Sequence, residues 1–430
     1  MHRRNFLRNT AAAGLGGMVA AGIPSRADMA VSAVTDETSA EARRARMTFT
    51  TDFEGGSLGK VVRVTDTYTR CILLGEVDQL GRNRQVSWYY FRIDGAPDSE
   101  LTIDFTDLAG EYNFRPGNHA ITPETPPVYS YDGQRWMHVA KEDWHAFEGS
   151  MRLRIKPAHS RLWIAHVAPY TNRRLAQLLQ EIKGAPGLEY QVIGKSVQDR
   201  DIPMLTITDR GNESKEKKVV WLMFRQHAWE AGSSWVGEGS IRFLLSSDPI
   251  AARIRKKAIF KVLPLQDPDG LFRGGVRFNA YGYDLNRNWD ANDPAKMPEI
   301  AAARNAILNW ADHGGRIDFF LSLHNDETNE YLSGPPSPKF RPLGQKVFEE
   351  LTRTTTFDPS RGYEEDATQA KLPEPGRMDV AEALYYQHSL PAFLMEQRIA
   401  YVGKLGRCPT IADRMEFGKS LVKAVWAALA

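Results

Sequence analysis

The chain has 430 residues, of which 42% are hydrophobic, 25% charged and 10% aromatic. That balance excludes a disordered, collagen-like or disulfide-scaffold protein and leaves room for two or three domains. A net charge of +2 is too small for a dedicated nucleic-acid binder. With Cys71 and Cys408 the only cysteines, and no CxxC pair, any metal must be held by His and carboxylates.

In chain order, the first segment reads as an address. Arg3-Arg4-Asn5-Phe6-Leu7-Arg8 precedes a weakly apolar run over residues 11–21. It resembles a twin-arginine export signal over residues 1–27, with cleavage after residue 27 or 33. The run is shorter than the roughly 18 residues that span a bilayer, so no membrane anchor is expected. Without Arg3, Arg4, Arg8 and Arg26 the net charge would turn to about −2. The expected location is therefore periplasmic or extracellular, reached in folded form.

From residue 47 to 169 short, alternating, aromatic-rich runs succeed one another, such as 86–93, 101–105 and 151–155, separated by turn residues at 94–97 and 115–118. This spacing predicts an antiparallel β-sandwich whose aromatics are core. Its histidines, His119, His138, His145, His159 and His166, carry no pattern that marks a site. From residue 171 to 430 the period changes. Leu175, Leu178, Leu179 and Ile182 predict a helix stopped at Gly184. A hairpin over 190–198 and 203–208 comes next, and buried-strand runs then alternate with helical segments around 299–311, 341–351 and 411–429. That alternation predicts an α/β domain with a mixed sheet covered by helices on both faces.

The polar residues that close the apolar runs are the informative ones. Residues 219–224 lead to His227 and Glu230, 317–323 to His324, 260–265 to Asp267-Pro268-Asp269-Gly270, and 390–395 to Glu396. In α/β sheets ligands bind at the carboxyl ends of strands. Two His and one Glu delivered there can hold zinc as three protein ligands with a fourth position open, and Glu396 is left over as a base.

These residues resemble the zinc metallocarboxypeptidase family. The more specific likeness is Arg277 followed by Gly282-Tyr283-Asp284-Leu285-Asn286-Arg287-Asn288-Trp289, with Pro268-Asp269-Gly270 before it. Ile193-Gly194-Lys195-Ser196 and Asp199–Pro203 are similar to the hairpin that opens that family's eight-stranded sheet. The β-rich region, with Phe53-Glu54-Gly55-Gly56 and Tyr129-Ser130-Tyr131-Asp132, looks like the N-terminal domain of the cytosolic-carboxypeptidase branch. Asp267 departs from the pattern where Asn is usual, and Asn325 where a small residue is common.

The resemblance implies one Zn2+ per chain on His227, Glu230 and His324. Glu396 would be the general base toward water activated by zinc, and Arg277 would polarise the scissile carbonyl. Asn286 and Arg287 would hold the substrate's terminal carboxylate, and Arg377 would face an acidic C-terminal side chain. Tyr385, Tyr386 and Tyr401 are all open as the tyrosine that many family members place over the substrate. The expected activity is removal of residues from peptide or protein C-termini. Two rivals keep the fold: a zinc amidase acting on cell-wall peptides or small acyl-amino acids, and a catalytically inert binding protein.

Overall fold

The computed structural model describes residues 47–112, 114–118, 120–209, 217–365 and 374–430. The export segment and His119 lie outside the described residues.

Two five-stranded sheets pack face to face in the first part of the chain. One runs in the order Thr48–Thr50, Tyr90–Asp94, Arg161–Ala165, Val128–Ser130 and Met137–His138. The other runs Trp144–Phe147, Ser150–Ile155, Leu101–Thr106, Tyr68–Ile72 and Val61–Arg63. Their inward residues bury Tyr89, Phe91, Phe105 and Trp144 in one cluster, with Phe105 edge-on to Trp144 at 5.6 Å. These aromatics are core, as their alternation predicts, whereas Tyr112 is exposed. The sandwich is not wholly antiparallel. Tyr68–Ile72 and Leu101–Thr106 pair in parallel, because the chain between them crosses to the other sheet as Tyr90–Asp94 before returning in the same direction. A small four-stranded sheet, which includes Glu76–Val77 and Gly110–Tyr112, is built from the same excursion and the segment after it.

The second part forms one eight-stranded mixed sheet. Its strands are β1 (Leu188–Lys195), β2 (Asp201–Ile207), β3 (Lys218–Phe224), β4 (Ala258–Leu263), β5 (Phe319–Asp326), β6 (Tyr331–Gly334), β7 (Glu364–Glu365) and β8 (Ala392–Arg398), in the order β1-β2-β4-β3-β5-β8-β6-β7. The four central strands are mutually parallel, so their carboxyl ends share one edge. Alternate residues of β3 serve opposite faces. Val220, Leu222 and Phe224 join one core cluster, and Val219, Trp221 and Met223 the other. The first face is covered by α1 (Asn172–Ile182), α2 (Ala231–Leu244), α3 (Pro249–Lys257), α6 (Arg341–Thr354) and α8 (Ile411–Leu429), the second by α5 (Pro298–Asp312) and α7 (Val380–His388). A single short turn of helix, α4 (Pro268–Arg273), comes after β4. Among the described residues no helix is long and apolar enough to cross a membrane.

The predicted helices at 299–311, 341–351 and 411–429 are present within a few residues of those limits. Helix α2 has no counterpart among the predicted elements. All of its residues except Arg242 are buried, so it carries no polar face and no 3.6-residue period to read.

Candidate active site

Between β3 and α2 the chain makes a tight turn. Arg225, fully buried, takes φ +56°, a left-handed conformation that is strained for a residue with a side chain. The turn is held from within. The Arg225 guanidinium donates to the Ala228 carbonyl and to Ser234 Oγ, and the Arg225 N–H donates to Ser233 Oγ. The turn aims His227 inward and places Glu230 at the start of α2. His324 and Glu396 arrive differently: both lie inside their strands, not beyond them, and they are register partners on β5 and β8.

Three ligand-type atoms of His227, Glu230 and His324 lie within 4.8 Å of one another, and all three residues are buried. The Glu230 carboxylate bridges the two rings, with Oε1 2.6 Å from His227 Nδ1 and Oε2 3.0 Å from His324 Nδ1. The far ring nitrogens are also occupied. His227 Nε2 lies 3.0 Å from Asp284 Oδ1, and His324 Nε2 lies 2.9 Å from Gln226 Oε1. Gln226 is oriented by its own donation to the Leu285 carbonyl, and Ser322 Oγ adds a further polar contact 2.9 Å from His324 Nε2.

This arrangement tests whether a metal fits. Asp284 and Gln226 present acceptors to the outer Nε2 atoms, so with a metal bound each imidazole would keep its proton on Nε2 and turn an Nδ1 lone pair inward. Without one, the Nδ1 atoms are placed to donate to Glu230; with one, two lone pairs and a carboxylate would converge. That is the donor set of a divalent zinc-type cation, backed by the outer hydrogen bonds that orient metal-binding histidines. Burial opposes ionisation of Glu230, but the two imidazoles hold its carboxyl far below the usual carboxylate range. Burial likewise opposes ionisation of Asp284, and there Arg277 and His227 win, keeping it charged.

Arg277 donates through Nε to Asp284 Oδ2 at 2.7 Å, so one carboxylate ties the guanidinium to a metal-type histidine. Asn286 sits at the end of the same loop. Its side-chain oxygen accepts from the Val380 N–H, and its own N–H donates to Asp284. His227, Arg277, Asn286, Arg287 and Glu396 line one cavity of about 310 Å³. Burial raises the Glu396 carboxyl well above the ordinary value, the charges of Glu230 and Asp326 push the same way, and Arg277 opposes them. Glu396 Oε2 has no hydrogen-bond partner. A divalent cation in the cluster would act in the same sense as Arg277.

Arg377 lies elsewhere. It borders a separate small recess behind Arg277 and Arg287, with Nη2 3.4 Å from Tyr112 Oη. Sequence spacing points to a cation near Glu396, and among the described residues the cavity holds Arg361 besides Arg277 and Arg287, with its guanidinium 4.1 Å from the Tyr331 ring centre. Tyr385, Tyr386 and Tyr331 line the cavity, whereas Tyr401 does not and is exposed. Asp284, Gln226 and Ser322 are the functional-type residues that sequence reasoning gave no role. Two signals mark them in retrospect: Ser322 is two residues before His324 on one strand, hence on the same face, and Gln226 adjoins His227.

Residues 175–355 match a family model described as zinc carboxypeptidase, and residues 49–167 one described as the cytosolic carboxypeptidase N-terminal domain. The chain is 29% identical over 321 residues to the protein ZMO1242 of Zymomonas mobilis, covering 72% of this chain and 78% of that one. It is 27% identical over 324 residues to cytosolic carboxypeptidase 6 of mouse, covering 69% of this chain and 56% of that one, so it spans little more than half of that relative. Among solved structures, a metallo-carboxypeptidase from Pseudomonas aeruginosa in complex with (2-guanidinoethylmercapto)succinic acid superposes with a TM-score of 0.74 at 25% identity, over 89% of this chain and 99% of that one.

Proposed function

We propose, from the premise that this chain belongs to the zinc carboxypeptidase family and carries the N-terminal domain of its cytosolic branch, that it is a zinc-dependent carboxypeptidase releasing residues from peptide C-termini. The observation that carries the reading is the convergence of His227 Nδ1 and His324 Nδ1 on Glu230, beside a carboxyl at the register partner of His324.

His227, Glu230 and His324 would hold the metal. Zinc, when bound, supplies Lewis acidity and lowers the pKa of water toward 7. Glu396 takes a proton from the attacking water and later delivers it to the leaving amine. Arg277 donates hydrogen bonds to the carbonyl oxygen as that atom gains negative charge, and its guanidinium is already oriented by Asp284. Arg287, with Asn286, holds the terminal carboxylate, for which a guanidinium offers two parallel donors. Arg361 adds a cation toward the substrate's last side chain.

The test is mass spectrometry of a peptide library after incubation with the zinc-loaded protein. Amino acids should be released one at a time from free C-termini, and release should stop with a chelator and resume with zinc. Amidated C-termini should resist. Cleavage of muropeptides in preference to ordinary peptides would favour the amidase reading instead. Export is a separate proposal supported by Arg3-Arg4-Asn5-Phe6-Leu7 alone, against relatives whose names say cytosolic. Cell fractionation of the wild type and of an Arg3→Lys, Arg4→Lys variant tests it. A wild-type protein found in the cytoplasm would remove it.

A further inference from the structure

Arg277 sits on a loop, residues 276–284, pinched by a bridge between Phe278 and Asp284. The loop's own domain anchors it at Val276, Asn279 and Asp284 through Trp229, Lys296, Glu299 and His227, but the backbone N–H groups around Arg277 are held from elsewhere. Three successive backbone N–H groups, those of Val276, Arg277 and Phe278, converge on a single oxygen, Oε2 of Glu76, with the outer two at 2.9 Å. Glu76 lies in the β-rich domain, two hundred residues away in sequence. Its other oxygen accepts from Arg273 Nη1, and Arg273 Nη2 donates in turn to the Phe278 carbonyl. Consecutive backbone N–H groups make a concave anion-binding nest, and here the anion is a side chain.

The approach is built into the backbone. Gly274 has φ +68°, and a Cβ there would meet the Gly56 carbonyl oxygen at 2.4 Å. A Cβ on Gly275 would stand 2.9 Å from Glu76 Oε1 and from Arg273 Cζ. Further along, the Gln79 N–H donates to the Gly282 carbonyl at 3.1 Å. The β-rich domain therefore grips both limbs of the loop.

We infer that Glu76 is a positioning residue for the reaction: from the N-terminal domain it fixes the backbone that carries Arg277, and so sets where that guanidinium meets the scissile carbonyl. This rests on the role given to Arg277 above. The β-rich domain is then a working part of the active site and not a separate module. Misplacing a catalytic group by about an ångström costs up to about 100-fold in rate.

The experiment is a double-mutant cycle on the full-length, zinc-loaded chain, with a peptide bearing a free C-terminus as substrate. Glu76→Gln should lower kcat about 10- to 100-fold with KM within about twofold, and with unchanged zinc content and thermal unfolding. In an Arg277→Ala background the same change should cost little more. Losses that multiply, or a folded Glu76→Gln enzyme with wild-type kcat, overturn the inference. If Glu76→Gln does not fold, Arg273→Lys loosens Glu76 without touching Arg277, and multiplicative losses in that cycle overturn it equally. An Arg277→Ala enzyme with wild-type kcat would instead remove the role of Arg277 itself.

Discussion

The cavity has two walls of different construction. The His-Glu-His wall is made of the carboxyl-terminal part of β5 and the turn after β3: His227, Glu230 and His324 are each at most 2% exposed, and every ring nitrogen has a partner inside the same domain. The wall that carries Arg277 is made of loop. The Arg277 side chain keeps 25% of its surface exposed, and the loop's backbone is held by a carboxylate from the other domain. Parallel strands in register give the first wall its precision, while the second acquires it from long-range hydrogen bonds. The difference predicts that loss of metal binding and loss of rate can be separated by mutation.

The largest effect should come from the first wall. His324→Ala leaves two ligands, His227 and a Glu230 carboxylate that has lost one partner, so bound zinc should fall well below one per chain by elemental analysis. Activity should drop at least about 1,000-fold, since several kcal/mol of charge stabilisation leave with the metal. Retention of stoichiometric zinc by that variant would break the comparison. Glu396→Gln tests the boundary between the walls. Glu396 lies beside the cluster but makes no hydrogen bond through Oε2, so the variant should keep its zinc and lose about 100- to 10,000-fold in kcat.

How legible this was depends on which wall is considered. The strand-end histidines and Glu396 stand out because a polar residue closing an apolar run is unusual where burial favours hydrophobes. Local pattern is enough to find them. Helix α2 was not legible, because burial on all sides erases periodicity. The Glu76 contacts were not legible either: a glutamate in a two-residue strand reads as surface, and only the folded domain pair shows that its side chain is 12% exposed and filled with donors. Arg377 shows the opposite failure. A Gly-Arg pair at plausible spacing lies behind the cavity and not in it, since spacing fixes neither loop direction nor which arginine turns inward. Asn325, an apparent departure from the family pattern, is explained by its bonds: it accepts from the Ser233 N–H and donates to the Gln397 carbonyl, tying α2 to β8.

Asp284 belongs to both walls, because one oxygen faces His227 Nε2 and the other Arg277 Nε. Asp284→Asn should therefore produce a mixed and smaller defect. Zinc affinity, measured by competition with a chromogenic chelator, should fall about 10- to 100-fold, as expected when an outer partner of a ligand histidine is lost. At saturating zinc, a residual fall in kcat should remain from the loosened Arg277. Full recovery of kcat with added zinc would show that Asp284 serves the metal wall alone.

The smallest effect on activity, and the most specific in its pH dependence, is expected at Asp267. This residue lies four positions beyond the end of β4, caps α4 and is fully buried. Oδ1 accepts from the Gly270 N–H at 2.8 Å and caps α4, while Oδ2 has no partner. Burial pushes its carboxyl up to about 8, with Glu299 and Glu76 adding in the same direction and Arg273 opposing. The folded protein thus holds a proton that the unfolded chain releases near pH 4. Its contribution to stability is complete below pH 4 and declines as pH rises toward 8, by up to about 1.4 kcal/mol per unit, then levels off. An amide needs no proton to stay neutral, so Asp267→Asn should remove this dependence. The melting-temperature difference between variant and wild type should widen from pH 5 to pH 8 in favour of the variant and then stay constant, with kcat at neutral pH within about twofold. Parallel stability curves across that range would mean that Asp267 is ionised in the fold. It would then need a cationic partner, and Arg273, which already bonds Glu76, is the charge that opposes its neutral form.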